Sequence, residues 1–245
     1  MGILDGKVAI VTGSGHGIGR GEALELAGQG ARVVINDVGG SARGEGTDKS
    51  AADEVVEVIR ARGGEAVANY DDVADFAGAE NIVATAYEAF GGHDIVVNNA
   101  GIIRDKMIVS MSEDDFDAVL RVHLKGTFAV TKLACVRWRD RFKSGENVRA
   151  AVVNTVSSAG LQGNVGQANY GSAKGGYRRA DHHHLARGGA LRGAGERGGA
   201  GWRHPSDGRR AQRCRAERAR RVHRRRIQPP QSAELGAHGG LAGLG

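Results

Sequence analysis

Tyr170 and Lys174 lie four residues apart, the spacing that places two side chains on one face of a helix. A phenol with the usual pKa of about 10 is a poor acid or base at pH 7, but an ammonium group nearby favours the phenolate. Ser157, thirteen residues upstream, carries a hydroxyl that can hold a substrate carbonyl or alcohol oxygen, and Ser158 is the adjacent alternative. These side chains predict proton transfer at an oxygen atom. Taken alone, the Tyr/Lys spacing is also typical of a surface pair.

A glycine-rich segment with the spacing T-G-x-x-x-G-x-G runs from Thr12 to Gly19. Glycines permit a tight turn and let backbone N–H groups approach a pyrophosphate at a helix N-terminus. The segment follows a predicted strand and precedes a predicted helix, which favours a dinucleotide site over a purely structural turn. The residues predicted to contact the cofactor from this loop are Gly13, Ser14, His16, Gly17, Ile18 and Gly19.

Acidic and amide side chains follow the next three predicted strands. Asp37 ends the second strand, where an acid accepts hydrogen bonds from the adenosine ribose hydroxyls and repels a 2′-phosphate. This favours NAD over NADP, although His16 is a basic residue that can assist a phosphate. Asp72 and Val73 are predicted beside the adenine, with an ordinary surface loop as the alternative. A wall of the cofactor site is predicted where the fourth strand ends, at Asn99, Ala100 and Gly101.

Strand and helix patterns alternate along residues 1–177. Short apolar runs predict strands at 8–12, 32–37, 66–69, 95–98 and 151–156. Apolar residues at helical spacing predict helices at 20–27, 48–62, 79–90, 113–139 (with Ser112 as the cap) and 167–176. This alternation predicts a single α/β domain with a doubly wound, Rossmann-like parallel sheet. Ligands bind such sheets at the carboxyl ends of the strands, where all of the motifs above fall.

The length of 245 residues fits one domain with a substantial core. No apolar run approaches the roughly 18–20 residues that a membrane span needs, and the first apolar run is too short for a signal peptide. Cys135 and Cys214 are too few for a disulfide framework. We therefore expect a cytoplasmic protein without membrane association.

The charge is divided between two unlike parts of the chain. The formal net charge is +6, but residues 178–245 contain 16 Arg, no Lys and five acids, a net +11, which leaves −5 for residues 1–177. The second part is rich in Gly, Arg and Ala, and it has too few large apolar residues to offset its ordering entropy. We expect a dinucleotide-binding domain at 1–177 and a disordered tail at 178–245. The three histidines at 182–184 point to different faces of a helix and predict no metal site.

Together these motifs resemble the short-chain dehydrogenase/reductase family over about residues 1–177. The resemblance implies that Ser157 orients the substrate oxygen and that Tyr170 transfers its proton. It implies that Lys174 binds the nicotinamide ribose and lowers the pKa of the tyrosine. Tyr170 and Lys174 are thus expected to contact the cofactor, and Ser157 and Tyr170 the substrate. A hydride then passes to or from C4 of the nicotinamide. The family also implies a homodimer or homotetramer.

Many family members have a catalytic-relay Asn where this chain has His123. Two roles stay open for this histidine: it holds the relay water, or it packs a helix. We do not count it among the catalytic residues.

Four segments resemble one branch of the family in particular, the (3R)-hydroxyacyl-CoA dehydrogenase unit of peroxisomal multifunctional enzymes. They lie at 34–40, 67–71, 121–126 and 163–170. Bacterial homologues of that unit are often labelled 3-oxoacyl-carrier-protein reductases. The resemblance implies a 3-hydroxyacyl or 3-oxoacyl thioester substrate and a role in fatty acid metabolism.

The resemblance stops after Tyr177, and the genetic code offers an account of the change. The family continues this helix with small and apolar residues and then adds further strands and a substrate lid. Read one nucleotide later, codons for residues 177–184 permit Ile-Ala-Ala-Leu-Thr-Thr-Thr-Thr, a helix continuation typical of the family. We hypothesise that the chain from about residue 176 is translated out of frame, through a real frameshift or a sequencing error.

Three functions follow from these patterns. The first is an NAD-dependent oxidoreductase that interconverts a secondary alcohol and a ketone, with a 3-hydroxyacyl thioester as the favoured substrate. The second is a protein that binds the cofactor but is catalytically impaired, because the C-terminal substrate region is lost. The third is a nucleic-acid binder that uses the Arg-rich tail, which the scarcity of aromatic residues there disfavours.

Overall fold

Five parallel strands form one sheet, with helices on both faces. The computed structural model describes the backbone of residues 2–187 and the side chains of residues 2–177. The strand order is β3-β2-β1-β4-β5, and the strands are β1 (Val8–Thr12), β2 (Arg32–Asn36), β3 (Ala66–Asn69), β4 (Ile95–Asn98) and β5 (Ala151–Asn154). The predicted doubly wound α/β fold is confirmed.

Helices connect the strands and flank the site. They are α1 (Gly17–Gly28), α2 (Ser50–Ala61), α3 (Phe76–Phe90), α4 (Glu113–Leu120), α5 (Thr127–Lys143), α6 (Ala159–Gln162) and α7 (Ala168–Arg187). A 3₁₀ turn lies at Ile108–Ser110 and a π-helical turn at Arg121–Gly126. The Ser112 side chain accepts a hydrogen bond from the Asp115 N–H, which confirms the predicted cap of α4.

The core consists of two layers because side chains alternate along each strand. On one face, Ile10, Val34 and Val96 pack with α3 and α5. On the other face, Val11 and Ile35 pack with α1 and α2. Within the described part of the chain, β5 pairs with β4 alone and forms an edge of the sheet.

Several boundaries differ from the predicted ones. The second strand ends at Asn36 because the Asp37 carboxylate accepts a hydrogen bond from the Gly39 N–H, which turns the chain. The fifth strand ends at Asn154, two residues earlier than predicted. The helix predicted at 113–139 is divided by the π-helical turn, where Gly126 packs directly against Val73. Helix α1 begins three residues earlier than predicted, since glycines there conceal the helical pattern.

Among the described residues, no helix is long and apolar enough to cross a membrane, and no cluster of His, Cys, Asp or Glu is arranged to hold a metal. Helix α7 continues past Tyr177 to Arg187, so the predicted start of the disordered tail at residue 178 is wrong, because the helix that carries Tyr170 and Lys174 includes the first ten residues of that tail. The expectations for the rest of the tail, which are disorder and nucleic-acid binding, and the arrangement of the histidine side chains at 182–184 lie outside the described residues.

Candidate active site

The structure brings Ser157 and Tyr170 to one cavity. Its volume is about 410 Å³, and it lies between the segment after β5, the start of α7 and the segment after β4. Ser158, the adjacent alternative predicted from the sequence, lines the same cavity. The Ser157 hydroxyl accepts a hydrogen bond from the Ala159 N–H at 3.2 Å, which orients it.

Lys174 lies one helical turn after Tyr170, as the i, i+4 spacing predicts. Its Nζ is 5.8 Å from the centroid of the Tyr170 ring and donates a hydrogen bond to the Thr155 carbonyl at 2.6 Å. Burial lowers the pKa of the Lys174 ammonium. The carbonyl beyond β5 thus fixes the position of this cation beside the tyrosine.

His123 packs against the ring of Tyr170. The two ring centroids are 5.0 Å apart and the rings are nearly perpendicular. Burial, with a smaller contribution from the Lys174 ammonium, lowers the pKa of His123 to about 4, so the ring is neutral at pH 7. Its Nε2 lies 3.0 Å from the Ile102 nitrogen and 2.8 Å from the Ile102 oxygen. Its buried Nδ1 has no hydrogen-bond partner among the described residues.

The glycine-rich loop ends at the exposed N-terminus of α1. Gly13 has a φ of +62°, and the Asn99 amide donates to its carbonyl at 2.8 Å. His16 is the N-cap of α1 but makes no capping hydrogen bond with its side chain, and the first turn contains no acidic residue. Among the described residues, no side chain accepts from the first N–H groups of α1, which is the arrangement that binds anions.

The predicted loop residues take different positions. Gly17 and Ile18 are exposed at the start of α1, and Gly19 is buried. Ser14 is fully buried: its N–H donates to the Asn36 carbonyl at 3.0 Å, and its hydroxyl donates to the Val11 carbonyl at 2.8 Å. The structure therefore brings neither donor of Ser14 to the surface of the loop.

Asp37 lies beside the glycine-rich loop. One carboxylate oxygen accepts from the Gly15 N–H and the other from the Gly39 N–H, both at 2.8 Å. At the end of β3, Asp72 pairs with Arg121 at 3.2 Å. The Val73 side chain is buried in the core, so only the backbone of Val73 is available beside an adenine.

The residues after β4 form one side of the loop site. The N–H groups of Asn99 and Ala100 both donate to the Thr12 hydroxyl, at 3.1 and 3.2 Å. Gly101 lies so close to the His123 ring that a Cβ there would overlap it. The predicted wall at 99–101 is thus connected to both the glycine-rich loop and the Tyr170 side of the site.

Two buried asparagines of the site make contacts that were not predicted from the sequence. Asn98 donates to the Thr131 hydroxyl at 2.9 Å and to the Asn154 side chain at 2.8 Å, which ties the ends of β4 and β5 together. Asn169, next to Tyr170, is fully buried. The available signal was an amide beside a candidate catalytic residue, but periodicity does not show that a polar side chain is buried.

The family model described as short chain dehydrogenase matches residues 7–182. The chain belongs to this family. The match includes every residue of the site, and it ends close to the position at which the sequence resemblance was expected to stop. The resemblance stated from the motifs is confirmed.

Relatives and a solved structure agree with this assignment. Peroxisomal multifunctional enzyme A of Dictyostelium discoideum is 52% identical over 168 residues, which are 69% of this chain and 36% of that protein. Hydroxyacyl-CoA dehydrogenase ChsB1 of Mycobacterium tuberculosis is 48% identical over 175 residues, which are 71% of this chain and 54% of that protein. A crystal structure of a short chain dehydrogenase from Mycobacterium avium has a TM-score of 0.71 and 51% identity, and the match covers 76% of this chain and 66% of that one. The chain thus spans less than two thirds of each of these relatives.

Proposed function

We propose that the protein is an NAD-dependent oxidoreductase that interconverts a 3-hydroxyacyl thioester and the corresponding 3-oxoacyl thioester. One observation carries the proposal: Ser157 and Tyr170 line one cavity, with the Lys174 cation beside the tyrosine ring. A hydroxyl, a phenol and an ammonium in this arrangement suit proton transfer at a carbonyl or alcohol oxygen.

The loop at the start of α1 fits a dinucleotide. A Cβ added at Gly17 would meet no atom within 4 Å, so open space lies in front of the uncapped helix N-terminus. The backbone N–H groups of this loop would hold the pyrophosphate. Asp37 would accept from the adenosine ribose, and Asn99, Ala100 and Gly101 would line the path towards Tyr170. When bound, the nicotinamide ring supplies or accepts the hydride.

The residues of the chain supply the rest of the chemistry. In the reducing direction, the Ser157 hydroxyl donates a hydrogen bond to the substrate carbonyl, and the Tyr170 hydroxyl gives its proton to the same oxygen. The Lys174 ammonium stabilises the phenolate that remains. In the oxidising direction, Tyr170 takes the proton from the alcohol. The neutral His123 ring packs against Tyr170 and limits how far the phenol can turn.

The preference for NAD follows from the charge of Asp37. A 2′-phosphate beside this carboxylate meets a like charge, whereas ribose hydroxyls find acceptors. The carboxylate oxygens each accept a backbone N–H and still have lone pairs for the ribose.

The thioester substrate is supported by two kinds of evidence. The sequence resembles the dehydrogenase unit of multifunctional enzymes in four segments, and one relative is named a hydroxyacyl-CoA dehydrogenase. Both observations favour an acyl chain with oxygen at C3, carried by coenzyme A or an acyl carrier protein.

The test uses the full chain with acetoacetyl-CoA and with an acetoacetyl-carrier-protein, each with NADH and with NADPH. NADH binding is followed by fluorescence, and turnover by loss of absorbance at 340 nm. We expect saturable NADH binding and faster turnover with NADH than with NADPH. NADH binding without turnover of either thioester would favour the alternative, a cofactor-binding protein that is catalytically impaired. No NADH binding would overturn the proposal.

A further inference from the structure

We infer that Asn169 is a positioning residue, which holds Tyr170 in place by joining the start of α7 to the segment after β4. The inference rests on the proposed function insofar as Tyr170 is the proton-transfer residue. The observations that carry it are the contacts of Asn169.

Asn169 uses its whole side-chain amide. The residue is fully buried, and its Nδ2 donates to the Arg104 carbonyl and to the Asp115 carbonyl, both at 3.0 Å. Its Oδ1 accepts from the N–H of Tyr170 at 2.8 Å. One side chain therefore connects the segment after β4, helix α4 and the backbone of the candidate catalytic residue.

Neighbouring contacts reinforce the same junction. The Lys106 N–H donates to the Gly166 carbonyl at 2.9 Å, and the Gln167 amide donates to the Asp105 carboxylate at 2.8 Å. We call this junction, formed by residues 104–106 and 166–169, the latch. Its outer side is held by the Lys106 ammonium, which lies 2.7 Å from the Asp115 carboxylate.

The latch is continuous with the active-site cavity. Ile103 precedes the latch, Gln167 belongs to it and Tyr170 follows it, and all three line the cavity. A change in the latch therefore moves a cavity wall and the phenol together. Small displacements of a reacting group reduce catalysis by large factors, on the order of a hundredfold for about 1 Å.

The amide is specifically suited to this position. It has to present two donors to carbonyl groups and one acceptor to an N–H. Aspartate keeps the acceptor but places a carboxylate against two carbonyl oxygens, and alanine removes all three hydrogen bonds. Both substitutions remove the hydrogen bonds from the Asn169 side chain to the Arg104 and Asp115 carbonyls.

The test compares Asn169→Ala and Asn169→Asp with a control that also loses a buried amide, Asn69→Ala. Asn69 is buried at the end of β3, where its amide donates to Asp71 and Thr85. Reduction of acetoacetyl-CoA is measured per NADH-binding site, so that unfolded protein does not count. We expect kcat to fall at least about tenfold in both Asn169 variants, with NADH affinity within about twofold of wild type. The solvent deuterium isotope effect on kcat rises in these variants and not in Asn69→Ala, because proton transfer becomes the slower step.

A second measurement does not depend on turnover. Hydrogen exchange followed by mass spectrometry measures the exchange of backbone amide protons in the peptides that contain residues 104–115 and 166–170. Asn169→Ala is expected to increase exchange in both peptides together, and Asn69→Ala in neither. Unchanged exchange in both peptides overturns the latch. If the wild-type chain is active and the Asn169 variants keep its kcat and its isotope effect, the positioning of Tyr170 by Asn169 is overturned. If the wild-type chain is inactive, only the proposed function is overturned.

Discussion

At the scale of single residues, the proposed preference for NAD rests on Asp37. Its carboxylate is fixed by the Gly15 and Gly39 N–H groups, so its negative charge cannot turn away from a ligand beside the loop. We expect Asp37→Asn to raise the affinity for NADPH relative to NADH about tenfold, because the repulsion of a 2′-phosphate is removed. Fluorescence titrations with both cofactors measure the ratio.

The matched control for this prediction is Glu57→Gln, which removes an acid from the exposed face of α2. It should leave the ratio of the two affinities unchanged. A ratio that stays the same in Asp37→Asn would show that the carboxylate does not face the 2′ position.

The candidate catalytic residues could be singled out because they follow motifs with fixed spacing. Tyr170, Lys174 and Ser157 lie where a helix and a strand end place them, and the structure brings them together. Ser14 was predicted at the cofactor because it lies within the glycine-rich segment, but its hydroxyl and N–H are used inside the protein. Hydrogen-bond partners that are distant in the sequence, such as those of Asn169, leave no periodic signal.

At the scale of elements, the turn between β1 and α1 depends on Gly13. Its φ of +62° is strained for other residues, and a Cβ there would lie 2.6 Å from the Ala100 Cα. We expect Gly13→Ala to weaken NADH binding at least about tenfold, since the loop has to move away from the 99–101 wall.

Gly6→Ala is a close control for this change. Gly6 has a similar φ of +76°, but a Cβ there would meet nothing within 4 Å. Both variants carry the backbone strain, of about 1–3 kcal/mol, and we expect both to lower the unfolding midpoint. Equal loss of NADH affinity in the two variants would contradict a specific role for the Gly13 turn.

The strands were predicted more accurately than the helices. All five strands begin at the predicted residues, and β1, β3 and β4 also end as predicted. The π-helical turn was not predictable, because it arises where Gly126 meets Val73 from a distant part of the chain.

At the scale of the whole molecule, two buried histidines make the fold sensitive to acid. Burial and the positive charges of Arg141 and Arg137 lower the pKa of His93 to about 4, against the smaller opposite effect of Asp94. The pKa of His123 is also lowered to about 4. Both are neutral in the fold and protonate more readily when unfolded, near pH 6.5. Their stability contribution is complete above about pH 6.5 and is lost as the pH falls towards 4.

The variant His93→Phe tests this acid dependence. The His93 ring packs between Tyr87 and Trp138, and neither ring nitrogen has a partner among the described residues. We expect the loss of unfolding free energy between pH 6.5 and 4 to shrink by up to about 3 kcal/mol. Urea unfolding at several pH values measures it. The control His16→Gln, at an exposed position, should lose as much unfolding free energy between pH 6.5 and 4 as wild type. The same loss in His93→Phe as in wild type would contradict the account.

The C-terminal part of the chain is best tested at the nucleotide level. The family match ends at residue 182, and the hypothesis is that translation leaves the family's reading frame near codon 176. Resequencing the gene across these codons is expected to show a phase change relative to intact homologues. The same phase as in those homologues would remove the hypothesis.

The most direct test of the proposed chemistry compares wild-type protein with Tyr170→Phe. The substitution removes one hydroxyl and keeps the ring that packs against His123. Reduction of acetoacetyl-CoA by NADH is measured for both proteins, with NADH affinity determined in parallel. The account predicts that NADH affinity stays within a few-fold and that turnover falls by about 10²–10⁴. Full turnover by the phenylalanine variant would contradict it.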